Sequence, residues 1–272
     1  MGDVERDEYR RMAAVEDAHW WYHSTRMLLA EKLVPHLVAD GGDGGDGDGG
    51  DGGDGGRDRG DGGRVDRRRP RLLDAGCGTG ATGAWMAAHG DVVGVDAEPL
   101  ALELYGRRAG VVGLAAADLA RLPFSAASFD AALCVTVLYH RAVASPAAAV
   151  AELVRVVRPG GVVCLLEPGV RRLYRAHDRE VHGARRFSLR DMRTLLTDAG
   201  CDIVTATGAY AFLVPPAFVK ALIERRASSS DLDRHDDGLH GVLPGVARLE
   251  RAVLRRTSLP FGLSVLAIGR VR

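Results

Sequence analysis

One short segment combines a carboxylate with three alternating glycines, and these residue types at this spacing are suited to holding a cofactor. Residues 72–80 read LLDAGCGTG, in which an apolar run ends at Asp74 and glycines follow at Gly76, Gly78 and Gly80. A helix-compatible segment comes next. A strand, a tight glycine turn and a helix in this order bring bare backbone against a bound molecule, because glycine has no Cβ to hold the ligand away. The segment therefore predicts a cofactor site.

Two classes of cofactor are consistent with this glycine turn. The pattern Gly76-x-Gly78-x-x-Ala81 satisfies the looser dinucleotide fingerprint, and Asp96 lies where a ribose-binding acid belongs. A NAD-dependent oxidoreductase is therefore one alternative, although the chain lacks a Tyr-x-x-x-Lys pair. The carboxylate of Asp74, directly before the turn, instead favours a ligand with a positive centre and an ammonium group over one that presents a pyrophosphate.

The elements that must position these residues alternate between strand and helix from residue 64 onward, which predicts a parallel sheet flanked by helices. Several predicted strands are continuous apolar runs, as expected where both faces of a sheet are covered. Ser145 and Pro146 predict the start of one helix, and Ser188 with Asp191 predicts a capping box at the start of another. The predicted strands cover residues 71–75, 92–96, 111–117, 131–137, 161–167, 202–207 and 263–269.

Four segments, in their order and spacing, resemble one protein family. They read LLDAGCGTG, VVGVDAEP, AADLARLPFSAASFDAALCVTVLYH and RPGGVVCLLEP. Together they closely resemble the class I S-adenosylmethionine-dependent methyltransferases, in the small-molecule, ubiquinone-biosynthesis-like group called methyltransferase type 11. The resemblance covers residues 70–207 strongly and the final strand more loosely. It implies an α/β fold with a Rossmann-like, doubly wound sheet of seven strands, the last of them antiparallel. It also implies methyl transfer from S-adenosyl-L-methionine to a small organic acceptor.

The resemblance implies a role for residues at the methionine end of this cofactor. The backbone of the turn at Gly76, Gly78 and Gly80 is expected to pass close to the methionine moiety. Asp74 is expected near the ammonium or sulfonium group, through water. The main chain around Cys134, in the fourth predicted strand, is expected to approach the ammonium group. These positions place the methionine end beside the first and fourth strands.

The nucleoside end is implied to lie beside the second and third strands. Asp96 is expected to accept hydrogen bonds from the ribose hydroxyls, with Ala97 beside the adenine. Asp118, which closes the third predicted strand, is expected to accept from the exocyclic adenine amine, and the backbone of Leu119 to read the edge of the ring. This placement agrees with the general rule that open α/β sheets bind ligands at the carboxyl ends of their strands.

The sequence indicates fewer residues for the methyl-transfer step than for cofactor binding. A sulfonium already activates its methyl group, so the protein has to align a nucleophile, exclude water and, where needed, supply a base. His140, just past the fourth predicted strand, is the leading candidate for that base, and its neighbour Tyr139 is a candidate for shaping the pocket. The alternative for His140 is an exposed loop histidine without a catalytic role.

Residues 1–39 are predicted to form a helical cap before the sheet. The run from Glu16 to His23 is rich in aromatic side chains, and similar stretches precede the glycine motif in related methyltransferases. We interpret it as a lid over the cofactor and substrate cleft, with Arg26 placed to hold the cofactor carboxylate. The alternative is that the aromatic side chains attach a helix to the core.

Composition predicts the remaining boundaries. Residues 40–63 are almost wholly Gly and Asp, which predicts a flexible linker before a methyltransferase domain over residues 64–272. Calcium-binding repeats are an alternative for this linker, but their fixed apolar position is missing. Within the domain, residues 168–187 and 208–262 are predicted insertions that select the substrate. Their apolar stretch at residues 209–219 either walls an apolar pocket, rests on a membrane surface or packs on the sheet edge.

The overall composition disfavours several other classes. Lys plus Arg and Asp plus Glu both number 36 in 272 residues, so bulk charge does not favour nucleic-acid binding. The cysteines form no CxxC pair, so neither a disulfide framework nor a metal site is predicted. Without a signal peptide or an apolar stretch of bilayer length, we expect a soluble, cytoplasmic protein. A non-catalytic S-adenosylmethionine-binding protein is a further alternative, and oxygen, nitrogen and carbon are all open as the methyl-accepting atom.

Overall fold

A seven-stranded mixed sheet lies at the centre of the computed structural model, which describes residues 3–37, 68–173, 183–219 and 242–272. The strands are β1 (Arg71–Ala75), β2 (Asp91–Asp96), β3 (Val111–Ala116), β4 (Phe129–Val135), β5 (Val157–Pro168), β6 (Cys201–Ala209) and β7 (Ser264–Val271). Their order in the sheet is β3-β2-β1-β4-β5-β7-β6. Neighbours among β1 to β5 are parallel, whereas β7 is antiparallel to both β5 and β6. The predicted Rossmann-like sheet with an antiparallel last strand is confirmed.

Helices cover both faces of this sheet. Two of them begin where the sequence predicts, because Oγ of Ser145 accepts from the backbone of Ala148 and because Ser188 and Asp191 form a capping box. The described helices are α1 (Asp3–Val15), α2 (Trp20–Lys32), α3 (Ala81–Met86), α4 (Pro99–Gly106), α5 (Pro146–Val156), α6 (Leu189–Asp198) and α7 (Leu243–Leu254).

Most predicted strand boundaries lie within two residues of the observed ones, and the largest difference is at β5. The start of β5 was expected at residue 161, but the strand begins at Val157, directly after α5, and there pairs with Phe129. A register shift between Phe129 and Ala131 accommodates the extra residues, and Gly160 within them has a φ of +77°. Glycine tolerates that angle, so the Pro-Gly-Gly sequence that signals a turn is absorbed into an irregular strand.

The two apolar layers include part of the N-terminal segment. Leu73 and Cys134 face the layer formed by α5 and α6, whereas their neighbours Leu72 and Leu133 face the layer formed by α2, α3 and α7. In α2, Leu28 is 1% exposed and belongs to this second layer. The second helix of the predicted cap is therefore part of the core.

Several sequence expectations concern features other than the sheet. All four cysteines are buried and free. Within the described ranges, no helix is long and apolar enough to cross a membrane, and no group of three or more His, Cys, Asp or Glu side chains could hold a metal ion. The predicted linker at residues 40–63 lies outside the described residues, as do residues 174–182 and 220–241 of the two predicted insertions.

A buried aromatic ring lies beneath the glycine turn. Tyr105 of α4 is fully buried, and glycines from three different elements leave room for it. A Cβ would lie 2.1 Å from the ring at Gly80, 2.6 Å at Gly94, and 1.8 Å from the tyrosine Oη at Gly83. Because these distances are far shorter than van der Waals contact, none of the three positions accepts a side chain without displacing the ring.

Gly83→Ala is expected to destabilise the protein although alanine favours helices. The helix propensity of alanine contributes about 1 kcal/mol, but overpacking a buried site costs about 1–3 kcal/mol, and contact with Oη of Tyr105 places this substitution at the upper end. Urea unfolding of the variant should show a net loss of about 2 kcal/mol.

Gly245→Ala is the matched control, because Gly245 also lies in a helix but has no heavy atom within 4 Å of the added methyl group. We expect that variant to be as stable as the wild type, or more stable by up to about 1 kcal/mol. Adding Tyr105→Phe to Gly83→Ala removes the nearest clashing atom and should recover part of the loss. Equal stability of Gly83→Ala and wild type would contradict the packing account.

Candidate cofactor and active site

The glycine turn folds back onto the end of β2. The backbone N–H groups of Gly76 and Cys77 both donate to the carbonyl of Val95, at 2.8 and 2.9 Å, and Gly80 N donates to the carbonyl of Cys77 at 3.0 Å. The φ angles of Gly76, Gly78 and Gly80 are +70°, +52° and +87°. Side chains are rarely tolerated at such angles, so the path of the turn requires glycine at each position.

The three glycines face different neighbours. A Cβ at Gly76 would lie 2.4 Å from the side chain of Val137, and Gly80 lies over the buried tyrosine ring. Only at Gly78 is the space less crowded, and there the nearest atom is Cε of Met12 at 3.2 Å. Two of the glycines that the sequence assigns to cofactor contact are therefore also required by internal packing. Gly78 faces the N-terminal segment.

The carboxylate of Asp96 is fixed beside this turn. Its Oδ2 accepts from the backbone N–H of Gly78 and its Oδ1 from that of Glu98, both at 2.9 Å. Burial raises the pKa of Asp96, and these amide donors act in the opposite direction. Each carboxylate oxygen has a second lone pair, so Asp96 can accept further hydrogen bonds from hydroxyl groups. Ala97 follows it and is exposed.

Other predicted cofactor residues lie at the carboxyl ends of neighbouring strands. Asp118 follows β3, is exposed, and accepts from the backbone N–H of Ala120 at 2.9 Å. Leu119 is 6% exposed and joins the core. Cys134, near the end of β4, is fully buried, so only its main chain is available to a ligand. Since β3, β2, β1 and β4 are adjacent, the structure brings all these positions to one edge of the sheet.

Asp74 lies beneath the turn rather than on its open face. It is 3% exposed, and the backbone N–H of Gly83 donates to it. Burial raises the pKa of Asp74 to about 7, and the negative charge of Asp96 adds to the rise. Among the described residues, Oδ2 of Asp74 and Oη of Tyr105 have no hydrogen-bond partner. The expected contact with a ligand's ammonium or sulfonium group stays a prediction.

A second buried carboxylate shapes the loop after β4. Oε1 of Glu167 accepts from the backbone N–H groups of Val137 and Leu138, at 3.0 and 2.8 Å, and Oε2 accepts from that of Tyr139 at 3.1 Å. Thr136 begins this loop with a φ of +54°. Burial raises the pKa of Glu167 to about 8 although the three amides favour its ionised form. The sequence analysis assigned no role to Glu167. Its only signal in the sequence is that a single acidic residue ends an apolar run.

His140 ends this loop and is half-buried. Its Nδ1 accepts from the backbone N–H of Ala142 at 3.1 Å, so the neutral imidazole carries its proton on Nε2. The backbone forms an isolated bridge with Gly183, and Ala184 N donates to the carbonyl of Tyr139 at 2.8 Å. The predicted base is therefore held between the end of β4 and residues 183–187.

The N-terminal segment contacts the turn through Glu16, the first residue of the run that we interpreted as a lid. Glu16 accepts a hydrogen bond from Oγ1 of Thr79 at 2.6 Å and pairs with Arg108. Arg26, the predicted partner of a cofactor carboxylate, instead donates to the carbonyl of Glu16 at 3.3 Å in this structure. Its role toward a cofactor stays a prediction.

A cavity of about 430 Å³ lies at the same edge of the sheet, beyond β5. Its walls are mainly apolar, and they come from both predicted insertions and from the start of α6 and β7. Arg171, one of its polar lining residues, pairs with Asp191 at 2.5 Å. The lining residues are Val170, Arg171, Arg172, Phe187, Ser188, Leu189, Val214, Phe218, Pro260, Phe261, Gly262 and Val265.

The seven-stranded sheet with its antiparallel last strand, the glycine turn after β1 and the acid after β2 agree with what the resemblance to the class I, S-adenosylmethionine-dependent methyltransferases implies. Residues 73–165 match the family model of a methyltransferase domain, type 11. This match confirms the resemblance carried by the four sequence segments.

Curated relatives resemble part of the chain. The uncharacterised methyltransferase YodH of Bacillus subtilis is 36% identical over 106 residues, 37% of this chain and 44% of its own length. A demethylmenaquinone methyltransferase of Beutenbergia cavernae is 39% identical over 99 residues, 36% of this chain and 40% of its own. The O-methyltransferase cnsE of Penicillium expansum is 32% identical over 149 residues, 50% and 53% respectively. The chain thus spans about half, or less, of the length of these relatives.

Solved structures agree on the fold. A chain of the complex between the Haloferax volcanii Trm112 methyltransferase activator and a methyltransferase superposes with a TM-score of 0.57 at 17% identity, covering 97% of both chains. The YcgJ protein of Bacillus subtilis gives a TM-score of 0.50 at 20% identity, covering 75% of this chain and 93% of its own. At these identities the likeness concerns the fold alone.

Asp74→Asn is expected to make stability less dependent on pH. The pKa of Asp74 rises from 3.8 to about 7 on folding, so its protonated form is preferred in the folded state. The associated stability is complete below pH 3.8 and is lost as the pH rises through 7. Between pH 5 and pH 8 the wild type should therefore lose roughly 2–3 kcal/mol more of its unfolding free energy than the variant does.

Urea unfolding at the two pH values measures this difference. Asp198→Asn, at the exposed end of α6, is the control and should keep the pH dependence of the wild type. An Asp74→Asn variant with the full pH dependence of the wild type would show that Asp74 is ionised in the folded protein at neutral pH.

Proposed function

We propose that the protein transfers a methyl group from S-adenosyl-L-methionine to a small organic acceptor. The proposal rests chiefly on the backbone-anchored carboxylate of Asp96 beside Gly78, inside the matched methyltransferase domain. A nucleoside needs a hydroxyl acceptor there, and a turn without side chains beside it. The names of two relatives, demethylmenaquinone methyltransferase and O-methyltransferase, support an acceptor of small-molecule size.

The residues at the carboxyl ends of β1 to β4 fit the cofactor. Asp96 has unused lone pairs for the ribose hydroxyls, and exposed Ala97 adjoins it. Asp118 is exposed beside the edge where the adenine would lie, with the backbone of Leu119 next to it. When bound, S-adenosyl-L-methionine supplies a methyl group on a sulfonium centre, already activated toward nucleophiles.

The family match, more than the charge of Asp74, favours S-adenosyl-L-methionine over NAD. With a pKa of about 7 and a buried position, Asp74 contributes less field at the open face of the turn than an exposed carboxylate would. The preference for a cationic cofactor over NAD therefore rests on the methyltransferase domain at residues 73–165. A protein that binds the cofactor without turnover remains the second candidate, and an acceptor screen separates it from an enzyme.

The loop after β4 is the part of the chain that we place against the acceptor. Glu167 fixes the backbone of residues 137–139, which limits where His140 can lie. In the present geometry Nε2 of His140 carries the proton, so His140 donates a hydrogen bond that orients the acceptor. It becomes a base only when Nδ1 gives up its bond with Ala142, and the proton is then taken at Nδ1.

The apolar cavity beyond β5 is where we place the apolar part of the acceptor. Phe187 lines it, and residues 183–187 lead from there to the bridge with His140. A largely apolar wall favours a ring or chain of carbon atoms over a charged metabolite. Of the two guanidinium groups in this wall, that of Arg171 is already paired with Asp191, so we assign it no anionic group of the acceptor.

We also place the enzyme in the cytoplasm. Four free, buried cysteines support this assignment, because disulfides are rare and thiols persist in reducing compartments. The balance of acidic and basic residues in the sequence favours a small-molecule partner over nucleic acid.

Asp96→Asn is expected to weaken binding of S-adenosylhomocysteine at least tenfold. The amide keeps the shape of the carboxylate but loses its charge, and hydrogen bonds to charged groups contribute about 1.5–3 kcal/mol. Isothermal titration calorimetry with S-adenosylhomocysteine, S-adenosyl-L-methionine and NAD measures the affinities.

The matched control for this experiment is Asp91→Asn, at the opposite end of β2, where the carboxylate pairs with Arg69 on the surface. It should bind S-adenosylhomocysteine as the wild type does. Heat with NAD and none with either S-adenosyl compound would favour the oxidoreductase and end the methyltransferase proposal.

His140→Ala is expected to reduce turnover at least tenfold while leaving cofactor affinity unchanged, because His140 contacts the acceptor and not the cofactor. The acceptor is first found by incubating the enzyme with methyl-labelled cofactor and host metabolite extract, then identifying the product by mass. Turnover on that acceptor is then compared among variants.

His89→Ala serves as the control, since His89 lies at the amino end of β2, stacked edge-on against Trp85. It should turn over normally. Near-normal turnover by His140→Ala would remove His140 from the mechanism, and binding without labelled product from any extract would favour the non-catalytic alternative.

A further inference from the structure

The carboxylate of Glu16, directly after α1, is buried against the glycine turn. Glu16 is 3% exposed, and its Oε1 accepts from Oγ1 of Thr79 at 2.6 Å. Arg108, which follows α4, pairs with this carboxylate and also donates from Nε to the carbonyl of Thr79 at 2.8 Å. A carboxylate and a guanidinium thus hold both the side chain and the main chain of the residue between Gly78 and Gly80.

Stability alone is a weak reason for this arrangement. Removing a carboxylate from water costs free energy, and apolar residues of similar volume often stabilise a buried site as well as an ion pair does. Burial raises the pKa of Glu16, while the bonds with Thr79 and Arg108 lower it. What the charged contacts provide is a single, well-defined position of the N-terminal segment on the turn.

The helix that precedes Glu16 covers the same turn. Met12 lies one helical turn earlier, and Glu16 N donates to its carbonyl at 2.9 Å. Residues four apart share a helix face, so Met12 and Glu16 both point at the turn. Cε of Met12 lies 3.2 Å from the position of a Cβ on Gly78. A ligand can pass to this face of Gly78 only while the helix is lifted.

The two N-terminal helices are attached to the core in different ways. In α2, Leu28 and Leu29 are buried in the apolar layer, and Thr25 Oγ1 shares a 2.8 Å hydrogen bond with Oη of Tyr210. In residues 9–15 of α1, by contrast, every side chain is at least partly exposed. Lifting residues 9–15 of α1 therefore uncovers no fully buried side chain of that stretch, whereas lifting α2 would open the core.

We propose that α1 is a lid on the cofactor site and that Glu16 is its latch, a positioning residue released whenever the cofactor enters or leaves. The proposal rests on the proposed function, because the molecule that passes the lid is an S-adenosyl nucleoside. Opening breaks the contacts of Glu16 with Thr79 and Arg108. These contacts consequently slow association and dissociation alike, and they have less effect on the affinity itself.

Glu16→Gln tests the latch, since glutamine keeps the size of the side chain and removes its charge. Hydrogen exchange of the α1 amides, measured without any ligand, should become about tenfold faster, which corresponds to about 1.4 kcal/mol. In stopped-flow experiments with S-adenosylhomocysteine, both rate constants should rise about tenfold and the dissociation constant should change less than about threefold. Trp20 and Trp21, which follow Glu16 closely in the sequence, provide a fluorescence signal.

Thr79→Val removes the hydroxyl donor from the turn and should act in the same direction as Glu16→Gln. The control is Glu31→Gln, which breaks an ion pair of 2.8 Å between α2 and Arg255 and leaves the glycine turn untouched. It should match the wild type in both measurements.

Unchanged exchange of the α1 amides in Glu16→Gln would overturn the latch whether or not the cofactor binds. Faster α1 exchange with unchanged S-adenosylhomocysteine kinetics would also overturn it, because the lid would then lie off the cofactor's path. Absence of S-adenosylhomocysteine binding in the wild type would instead remove the proposed function, and the amide exchange would still report on the contacts of Glu16.

Discussion

The shape of the candidate site depends on one packing constraint, the Tyr105 ring beneath the glycine turn. The turn, the helix after it and the neighbouring strand contribute Gly80, Gly83 and Gly94, and each leaves the space of a side chain to this ring. Protein interiors are packed about as densely as organic crystals, so the ring and the three glycines define one another's positions. The direction of the Gly78 N–H toward the strand-end carboxylate follows from that arrangement. Glycines in such a turn therefore serve internal packing as well as the approach of a ligand.

Carboxylates then hold the backbone around this packed centre. Asp74 accepts from an amide under the turn, Asp96 from two amides beside it, and Glu167 from three amides in the loop after β4. Amide donors belong to the main chain, so these carboxylates set the path of a loop whatever side chains the loop carries. Burial raises the pKa of each of these carboxylates, because removing the charged form from water costs free energy. Forming the site therefore has an electrostatic cost.

The sequence predicted the sheet because buried parallel strands are continuous apolar runs, and because the family resemblance supplied the number of strands and the antiparallel direction of the last one. The predicted start of β5 was wrong because the Arg-Pro-Gly-Gly sequence after Val157 signals a turn, whereas in the structure a register shift makes it part of the strand. Asp96 and Asp118 could be found as polar residues that end strands. The roles of Tyr105 and Glu167 could not be found in this way, because their partners are glycines and backbone amides far away in the sequence. Every residue except proline has a backbone N–H, so the residue types do not show which of them donates.

The N-terminal segment shows why residue type alone misplaces a lid. Its aromatic side chains were the natural candidates, yet Trp20 and Trp21 pack around Tyr210 at the end of β6, so they anchor α2 to the core. The contact with the glycine turn comes instead from Met12 and Glu16. A lid that opens often must not expose buried apolar surface each time, because every Å² uncovered costs about 25 cal/mol. Here α2 provides the apolar attachment to the core, and Glu16, directly after α1, provides the charged contact that breaks when the lid opens. The free energy of opening is then set by a few polar contacts, which water can replace.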